Sequence, residues 1–383
     1  MTTQLGYCTN VHAGPDLAGT QQNLEQYALA VKRRIRPDQA MGVGLWLAAP
    51  AARELLQTGQ AERFADWLAS AGLLPFTLNG FPYVDFHEQV VKHRVYHPTW
   101  WDAARLQYTL DLIDILHAIL PPGMEGSIST LPIAWGRPLP PGPRLAEAGE
   151  QLRQVAQRLA RLESETGRLI HLAIEPEPGC VFDRSGQIVR FFEKYLLSSD
   201  EAAVRRHLRV CHDVCHSAVM FEPQAEAWAN YAAGGIQVGK VQVSSAVCVR
   251  WNQIPADQRA AAAEQLAGFN ENRYLHQTCV QPHSHDEAEF YEDLAGALAM
   301  IEDPAALTGE WRVHFHVPVF LRKFGLLATS QDDILECRRL ALAAGVTHFE
   351  VETYAWGVLP AELRQPDLAV GIAEEMAWFD GLC

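Results

Sequence analysis

The chain has 383 residues, of which 48% are hydrophobic and 20% are charged, and its formal net charge is −15. This composition is typical of globular proteins, and the length fits one large domain or two medium ones. A strongly acidic chain is not attracted to DNA, RNA or anionic lipid, so the charge argues against a nucleic-acid partner. Acidic balance is also common among cytosolic enzymes, and by itself it identifies no partner.

The N-terminal sequence MTTQLGYCTNVHAGPDL has neither a basic segment nor an apolar core, so it does not resemble a secretory signal. No apolar run approaches the roughly 18 residues that a membrane span requires. Eight cysteines are spread along a chain that is large enough to fold without disulfides. We therefore predict reduced thiols and a cytoplasmic protein without a membrane span.

Short apolar or β-branched runs alternate with longer segments that have the pattern of amphipathic helices. In chain order, the predicted strands are LGYCTNVH, MGVGLWL, LPFTLNG, GSISTLPIAW, LIHLAIEPEPG, LRVCHDVCH, GKVQVSSAV, WRVHFHVPVF and THFEVETYAW. The predicted helices include NLEQYALAVKRRI, AERFADWLASAGL, AARLQYTLDLIDILHAIL, RLAEAGEQLRQVAQRLARLESETG and DDILECRRLALAAGV. The fourth of these helices is rich in strong helix formers and ends at Gly167, a residue type that favours a helix C-terminus.

Alternating strands and helices indicate parallel strands with right-handed crossovers, and two architectures fit this order. A doubly wound sheet usually carries a glycine-rich phosphate loop after its first strand, and GYCTNVHAGP lacks that motif. We therefore predict an α/β fold of the (β/α)8 TIM barrel type that forms a single domain over residues 1–383. WRVHFHVPVF is then an extra strand or loop inside a long insertion after strand seven, at about residues 250–330.

A TIM barrel places its functional side chains at the carboxyl ends of its strands. Glu175 directly follows the apolar run of LIHLAIEPEPG, and Asp213 ends the apolar run of LRVCHDVCH. Glu350 and Glu352 alternate along the last strand, so they share a face. Carboxylates in such positions are costly unless they are paired, hydrogen-bonded or bound to a metal. A single one can be a surface residue, but three strands that end in this way favour a metal site.

Imidazole and amide groups accompany these carboxylates. His216 follows Asp213 by three residues, and Gln242 falls near the end of strand seven. His314 and His316 share a face of the extra strand. Carboxylates, imidazoles and an amide together form a ligand set for Mn²⁺, Mg²⁺, Co²⁺ or Zn²⁺. Asp213 and His216 can both reach one cation or two neighbouring ones.

The cysteines of the CHDVCH segment have a plainer explanation. Cys211 and Cys215 do not have the C-x-x-C spacing of a redox motif, and no second close pair completes a four-cysteine zinc site. We interpret both as small residues that line the barrel. His212 is out of phase with Asp213, so we expect it to face the helices.

Several motifs resemble known proteins. IEPEPG, the D-x-x-H of HDVCH and a terminal strand carrying Glu resemble the xylose-isomerase-like barrel superfamily, which includes sugar isomerases, epimerases and AP endonucleases. A closer resemblance, over nearly the whole chain, is to the EboE group of metabolite-traffic proteins, through TLNGFPYVDFHEQVVKHRVYHPTW, RLQYT, RYLHQT, HFHVPVF and HFEVETYAW. In that group a Gly usually follows NGFPY, whereas here Val84 and Asp85 intervene before Phe86 and His87.

The resemblance implies a divalent metal at the barrel mouth. Its central ligands are three carboxylates from three strands, namely Glu175, Asp213 and Glu352. Gln242 occupies the position of a fourth ligand from strand seven, where many relatives use His or Gln. His216 matches the D-x-x-H histidine, which binds substrate in the isomerases and metal in the endonucleases. His314 and His316 lie where a loop can deliver additional ligands.

As an isomerase or epimerase of a sugar or sugar phosphate, the protein would use Glu175 and Glu352 as its catalytic pair. The cation binds adjacent hydroxyl and carbonyl oxygens and stabilises an enediolate, while one carboxylate removes a proton and the other returns it. His216 fixes a substrate hydroxyl, and Lys240, in phase with Gln242, is a candidate to polarise an oxygen. A charged residue at the solvent-facing start of a strand is the alternative for Lys240.

Other polar positions are candidates for substrate contacts. Asn10 and His12 end strand one, Asn79 lies in NGFPY, and His276 lies in RYLHQT inside the insertion. His87 belongs to FHEQVVKHRVYH, a basic and aromatic stretch. That stretch can form a lid over an anionic group such as phosphate, or it can be a solvated loop.

Three functions remain open from the sequence. The first is a metal-dependent isomerase or epimerase that acts on a sugar-like small molecule. The second is a phosphodiesterase of the AP-endonuclease kind, against which the net charge of −15 argues. The third is a barrel that binds or carries a metabolite without turnover. The sequence does not fix the substrate, the metal or the number of chains in an assembly, and a homo-oligomer is one option.

Overall fold

The computed structural model describes residues 3–283 and 286–382. Its strands are, in chain order, β1 Gln4–Tyr7, β2 Met41–Trp46, β3 Leu73–Asn79, β4 Gly126–Thr130, β5 Ile170–Ile174, β6 Leu208–Asp213, β7 Val238–Val243, β8 Val247–Arg250, β9 Thr278–Gln281, β10 Glu289–Tyr291, β11 Glu310–Val313, β12 Lys323–Phe324, β13 Leu327–Thr329 and β14 His348–Val351. Eight of these strands build a barrel, and the six from β8 to β13 build a second sheet.

The barrel sheet is parallel and has the strand order β1-β14-β7-β6-β5-β4-β3-β2. Cys8, just after β1, and Gly44 in β2 form a parallel bridge between the two ends of the sheet. The sheet is therefore a nearly closed barrel, and the predicted (β/α)8 architecture is confirmed. Each predicted barrel segment overlaps one of these strands. Parallel strands joined by helices bury the apolar runs on both faces of the sheet.

Most helices surround the barrel, whereas two, Arg259–Ala267 and Leu294–Leu298, pack in the core of the insertion. In chain order, the helices are α1 Leu17–Asn23, α2 Leu29–Ile35, α3 Ala49–Leu55, α4 Gln60–Ala71, α5 Ala103–Ile119, α6 Gly142–Thr166, α7 Ser185–Phe191, α8 Glu201–His207, α9 Val214–Val219, α10 Gln224–Ala233, α11 Arg259–Ala267, α12 Leu294–Leu298, α13 Gln331–Ala343 and α14 Leu368–Asp380. The long helix α6 ends as predicted at Gly167, which adopts the left-handed conformation at φ 71°. In the described part of the chain, no helix combines the length and apolarity needed to cross a bilayer.

The second sheet lies between β7 and β14 in the sequence and has the order β10-β9-β11-β8-β13-β12. All its pairs are antiparallel, and it has an apolar core that includes Trp251, Phe269, Trp311, Phe315 and Phe324. The predicted extra strand WRVHFHVPVF is part of this sheet only as far as Val313.

His314 and His316 follow the end of β11, so the predicted strand ends before them, although both still lie on one side of the chain and Phe315 lies on the other. A tight turn in which the Phe315 N–H donates to Val313 O at 2.9 Å interrupts the ladder at this point. Phe315 is buried in the core of the insertion, while both histidines are buried on the barrel side near His216.

A buried ion pair lies inside the barrel. Lys240 Nζ in β7 is 2.5 Å from Glu350 Oε2 in β14, and both side chains are essentially inaccessible to solvent. The solvent-facing alternative for Lys240 is therefore wrong. Gly44 in β2 provides the space, since a Cβ at this position would lie 1.4 Å from Glu350 Oε1.

The histidine and the two cysteines next to Asp213 in the CHDVCH segment are also buried. His212 faces the helices, where its Nε2 is 2.8 Å from Gln224 Oε1 and its Nδ1 is 3.3 Å from the Tyr231 hydroxyl. Cys211 and Cys215 are fully buried free thiols. Cys383 lies outside the described residues.

Candidate metal centre and its cavity

Three carboxylates from three barrel strands meet at the carboxyl end of the barrel. Asp213 is the last residue of β6, Glu175 directly follows β5, and Glu352 directly follows β14. One oxygen of each lies within 4.8 Å of the others, and all three residues are buried. Parallel strands end at one edge of the barrel, which is why residues so distant in sequence come together.

Asp213 has one oxygen held by the protein and one that is not. Its Oδ1 accepts hydrogen bonds from the His216 N–H at 2.8 Å and from the Ser244 hydroxyl at 2.7 Å, and the first of these bonds caps α9. Its Oδ2 is buried without a hydrogen-bond partner among the described residues and lies 3.9 Å from His316 Nε2. The carboxylate is therefore oriented, with one oxygen free for a ligand.

The other two carboxylates differ in how they are held. Glu352 Oε1 accepts hydrogen bonds from Asn10 Nδ2 at 2.6 Å and from Asn79 Nδ2 at 3.1 Å. Glu175 Oε2 is buried, and nothing in the described part of the chain hydrogen-bonds to it. Asn10 lies after β1, and Asn79 is the last residue of β3. Together with β5, β6 and β14, which carry the carboxylates, five barrel strands position this group of side chains.

The close carboxylates disfavour one another's ionisation. Burial, and then the negative charges of Glu352 and Asp213, raise the pKa of Glu175 well above its ordinary value. Burial, and then Asp213 and Glu350, likewise raise the pKa of Glu352. Burial also raises the pKa of Asp213, although the neighbouring His316 opposes that shift. A bound cation would remove both the desolvation penalty and the repulsion.

Two histidines next to the carboxylates have a fixed tautomer. His216 Nδ1 lies 2.9 Å from Pro176 O, and His316 Nδ1 lies 2.6 Å from Glu352 O. A backbone carbonyl only accepts hydrogen bonds, so each Nδ1 carries the proton and each Nε2 carries a lone pair. Burial lowers the pKa of His216 to about 3 and that of His316 to about 4, which keeps both rings neutral.

A third histidine, His314, is oriented by an amide. The Gln277 amide donates from Nε2 to Pro178 O at 3.2 Å, so its oxygen is the atom that lies 2.8 Å from His314 Nδ1. His314 therefore also presents an Nε2 lone pair, which lies 3.2 Å from His216 Nε2. Two lone pairs at this distance repel each other unless a cation or a proton lies between them.

The residues fit a divalent cation. The buried atoms Glu175 Oε2, Asp213 Oδ2 and His316 Nε2 have no hydrogen-bond partner in the described chain, and unpartnered buried polar groups are rare in folded proteins. Four ligand groups in the described part of the chain suit a cation, with all ligand atoms of a group within 4.8 Å: Glu175, Asp213 and Glu352; Asp213, His216 and His316; Glu177, His216 and His314; and Cys215, His314 and His316. Oxygen and imidazole donors of this kind bind Mn²⁺, Mg²⁺, Co²⁺ or Zn²⁺.

A cavity of about 70 Å³ lies over the cluster. We call the polar residues at its barrel end the floor, and they are Asn10, Asn79, Glu175, Glu177, His216, His314, His316 and Glu352. We call the remaining lining residues the roof, and they are Phe81, Pro82, Phe86, Val91, Lys92, Val95, Tyr96, Tyr274, Leu275 and Tyr354. The floor comes mostly from strand ends, and the roof comes from the loop after β3, the insertion and the loop after β14.

Two of the predicted substrate contacts, His12 and His276, are buried away from the cavity surface. His12 stacks on Tyr27 at a ring-centroid distance of 4.3 Å. His276 stacks on Phe315 at 4.7 Å, and its Nε2 lies 2.9 Å from Glu271 Oε1. Neither residue lines the cavity.

Four other predicted site residues also lie outside the cavity lining, and Asp213 is one of them. Lys240 is held by Glu350 inside the barrel. His87 lies behind the floor, where its Nε2 is 2.6 Å from Asn10 O. Gln242 is buried inside the barrel, and neither its amide oxygen nor its amide nitrogen has a hydrogen-bond partner among the described residues. Gln242 thus keeps a free oxygen, which is what a metal ligand requires.

Glu177, which was not among the predicted site residues, lies on the floor two residues after Glu175. Its Oε1 accepts hydrogen bonds from the Tyr96 hydroxyl at 2.8 Å and from Gln277 Nε2 at 3.3 Å, and burial raises its pKa to about 8. The spacing in IEPEPG was a usable signal, because side chains two apart in extended chain share a face. The contacts of Tyr96 and Gln277 had no local signal, since they come from distant loops.

Solved structures that resemble this chain share little sequence identity with it. A xylose isomerase-like TIM barrel protein from Mycobacterium smegmatis, solved in complex with magnesium, matches with a TM-score of 0.55 and 12% identity over 100% of this chain and 96% of that chain. A D-tagatose 3-epimerase-like protein matches with a TM-score of 0.48 and 8% identity over 99% and 96%. A xylose isomerase domain protein from Alicyclobacillus acidocaldarius matches with a TM-score of 0.46 and 11% identity over 99% and 98%.

No protein-family model matches the sequence, and the search of curated proteins found no match. The Mycobacterium smegmatis structure therefore carries the structural assignment. The chain has the fold of a xylose isomerase-like TIM barrel, with a cluster of buried carboxylates and imidazoles at the barrel mouth.

Proposed function

We propose that the protein is a divalent-metal-dependent isomerase or epimerase of a small hydroxy-carbonyl compound. The observation that carries this proposal is the group Glu175, Asp213 and Glu352, which is buried beneath a cavity with unpartnered ligand atoms. The Mycobacterium smegmatis protein of the same fold was solved in complex with magnesium, which supports a metal-binding barrel. The motif resemblance to the EboE group adds a role in metabolite traffic.

The three carboxylates would hold the cation, with Gln242 as a fourth ligand. His314 and His316 present Nε2 lone pairs to the same space and are the additional ligands. When bound, the cation supplies electrostatic stabilisation for the negative charge that develops on substrate oxygens.

Glu175 and Glu352 are the proton-transfer pair. Both side chains line the cavity floor beside the proposed cation site, where each can exchange a proton with a bound substrate. Asn10 and Asn79 fix Glu352 through Oε1, and one carboxylate removes a proton that the other returns. His216 uses its Nε2 lone pair to accept a hydrogen bond from a substrate hydroxyl, and the roof excludes water.

Proton exchange tests this proposal even when the product of the reaction is not identified. Purified protein supplemented with Mn²⁺ is incubated in D₂O with a panel of aldoses, ketoses and simple α-hydroxy ketones. NMR then detects deuterium at the carbon next to the carbonyl group. We expect exchange with the native protein, a loss of at least a hundredfold in Glu175→Gln and Glu352→Gln, and no change in Glu374→Gln, an exposed carboxylate on α14.

If the native protein incorporates no deuterium into any compound of the panel, the metabolite-carrier function is favoured. Native protein that binds Mn²⁺ and panel compounds through Glu175 and Glu352, yet incorporates no deuterium, would contradict the isomerase proposal. Exchange that is equally fast in both variants would remove these carboxylates from the reaction.

A further inference from the structure

The cavity has two chemically different ends. The floor residues end or follow barrel strands, or follow the insertion strand β11, and all eight are polar. Nine of the ten roof residues are aromatic or aliphatic, the exception being Lys92. A ligand that fills this space meets carboxylates and imidazoles at one end and hydrocarbon at the other.

The roof offers few free polar groups. The Tyr96 hydroxyl already donates to Glu177 at 2.8 Å, and the Tyr274 hydroxyl donates to Phe86 O at 3.2 Å. The rings of Tyr274, Phe86 and Tyr354 pack against one another with centroid distances of 4.9–5.4 Å. A polyhydroxylated chain placed against this surface would lose hydrogen bonds to water and regain few from the protein.

The positive charges of the segment that covers the cavity are already paired. Lys92 Nζ lies 2.6 Å from Asp293 Oδ2, and it is the only Lys or Arg among the described lining residues. The same segment pairs His93 with Glu292 and Arg94 with Glu88. The anionic group predicted for this lid therefore finds no uncompensated cation.

We infer that the substrate is an α-hydroxy carbonyl compound with an uncharged apolar body, such as an aryl or alkyl group, rather than a sugar phosphate. The inference rests on the proposed function, because the hydroxy-carbonyl head takes the floor. The apolar body lies against Phe86, Val95, Leu275 and Tyr354 of the roof. Burial of that body supplies binding energy that a hydrophilic ligand of the same size does not gain.

Three ligands with the same hydroxymethyl-ketone head test this inference. They are α-hydroxyacetophenone, dihydroxyacetone and dihydroxyacetone phosphate, and they differ only in an apolar, a hydroxylated or an anionic body. Titration calorimetry on the Mn²⁺-supplemented protein measures each affinity. We expect α-hydroxyacetophenone to bind at least tenfold more tightly than both others, which corresponds to about 1.4 kcal/mol.

A substitution in the roof distinguishes the contribution of the ligand's apolar body to affinity from that of its hydroxy-carbonyl head. Val95→Thr keeps the shape of the side chain and adds a hydroxyl, and Val90→Thr is the matched control in the same segment, where Val90 is exposed and outside the lining. We expect Val95→Thr to weaken α-hydroxyacetophenone about fivefold and to leave dihydroxyacetone unchanged. The control should leave both affinities unchanged.

The outcomes distinguish the inference from the proposed function. Tighter binding of dihydroxyacetone phosphate, no binding of α-hydroxyacetophenone, or equal effects of Val95→Thr and Val90→Thr would overturn the apolar-body inference alone. Affinities that persist in Glu175→Gln/Asp213→Asn would show that the head uses neither Glu175 nor a cation held by Glu175 and Asp213. That result would overturn the proposed site and the inference with it.

Discussion

Glu375 of α14 is a buried carboxylate that braces the loops beside the proposed centre. Its Oε1 accepts hydrogen bonds from the Thr353 hydroxyl at 2.6 Å and from the Val319 N–H at 3.1 Å, and its Oε2 accepts one from Trp356 Nε1 at 3.2 Å. Thr353 directly follows Glu352 in the sequence. We predict that the free energy of unfolding of the native protein falls as Glu375 ionises with rising pH. Glu375→Gln should not show this fall.

The sign and size of this effect follow from the pKa of Glu375. Burial raises it to about 7 from an ordinary value of 4.5, because the hydrogen bonds only partly offset desolvation. A raised carboxyl pKa gives stability that is fully present below pH 4.5 and is lost as the pH rises through 7. At 1.36 kcal/mol per pKa unit, the loss between about pH 5 and about pH 8 is about 2.5 kcal/mol.

Urea unfolding at several pH values between 5 and 8 measures this difference. Glutamine does not titrate, so the stability of Glu375→Gln relative to the native protein should rise by about 2.5 kcal/mol across that range. At the acid end the variant should be about 1 kcal/mol less stable, because the amide nitrogen cannot accept the Trp356 hydrogen bond. Glu374→Gln, the same change at the exposed neighbour, should follow the native profile. Parallel profiles for Glu375→Gln and the native protein would refute the reasoning.

Three further predictions follow from the buried groups. Asp213→Ala should be about 1 kcal/mol less stable than Asp213→Asn in urea, because only Asn keeps the cap of α9, and equal stabilities would contradict this cap. Lys240→Met should cost about 3–5 kcal/mol by leaving Glu350 buried and unpaired, and Lys240→Met/Glu350→Leu should recover most of that loss. A double variant no more stable than the single one would argue against the ion pair. Gly44→Ala should abolish the folded state seen by circular dichroism, whereas Gly357→Ala, which meets no atom within 4 Å, should not. A folded Gly44→Ala protein would mean that Glu350 can move aside.

Strand and helix order made the barrel predictable from the sequence. The parallel strands are buried on both faces and appear as apolar runs, so a polar residue that ends a run stands out. Glu175, Asp213 and Glu352 were found in this way, and their meeting required only that the strands form one barrel. Glu177 follows the same alternation and could have been included.

Contacts that depend on the insertion were not predictable. His216 and His314 lie 98 residues apart, and their 3.2 Å approach depends on how the second sheet folds back over the barrel mouth. The end of β11 before His314 is set by a local turn that the apolar pattern does not show. The burial of Lys240 was missed because it depends on Glu350, whose carboxylate occupies space left by Gly44 on another strand.

The metal content of the purified protein is the measurement that tests the proposed centre most directly. Inductively coupled plasma mass spectrometry would compare the native protein with Glu175→Gln/Asp213→Asn, each after incubation with excess Mn²⁺ and desalting. We predict at least one bound Mn, Co, Zn or Fe ion per chain in the native protein, and its loss in the variant while the fold measured by circular dichroism is retained. No bound metal in either protein, or equal metal in both, would contradict a metal centre built on these carboxylates.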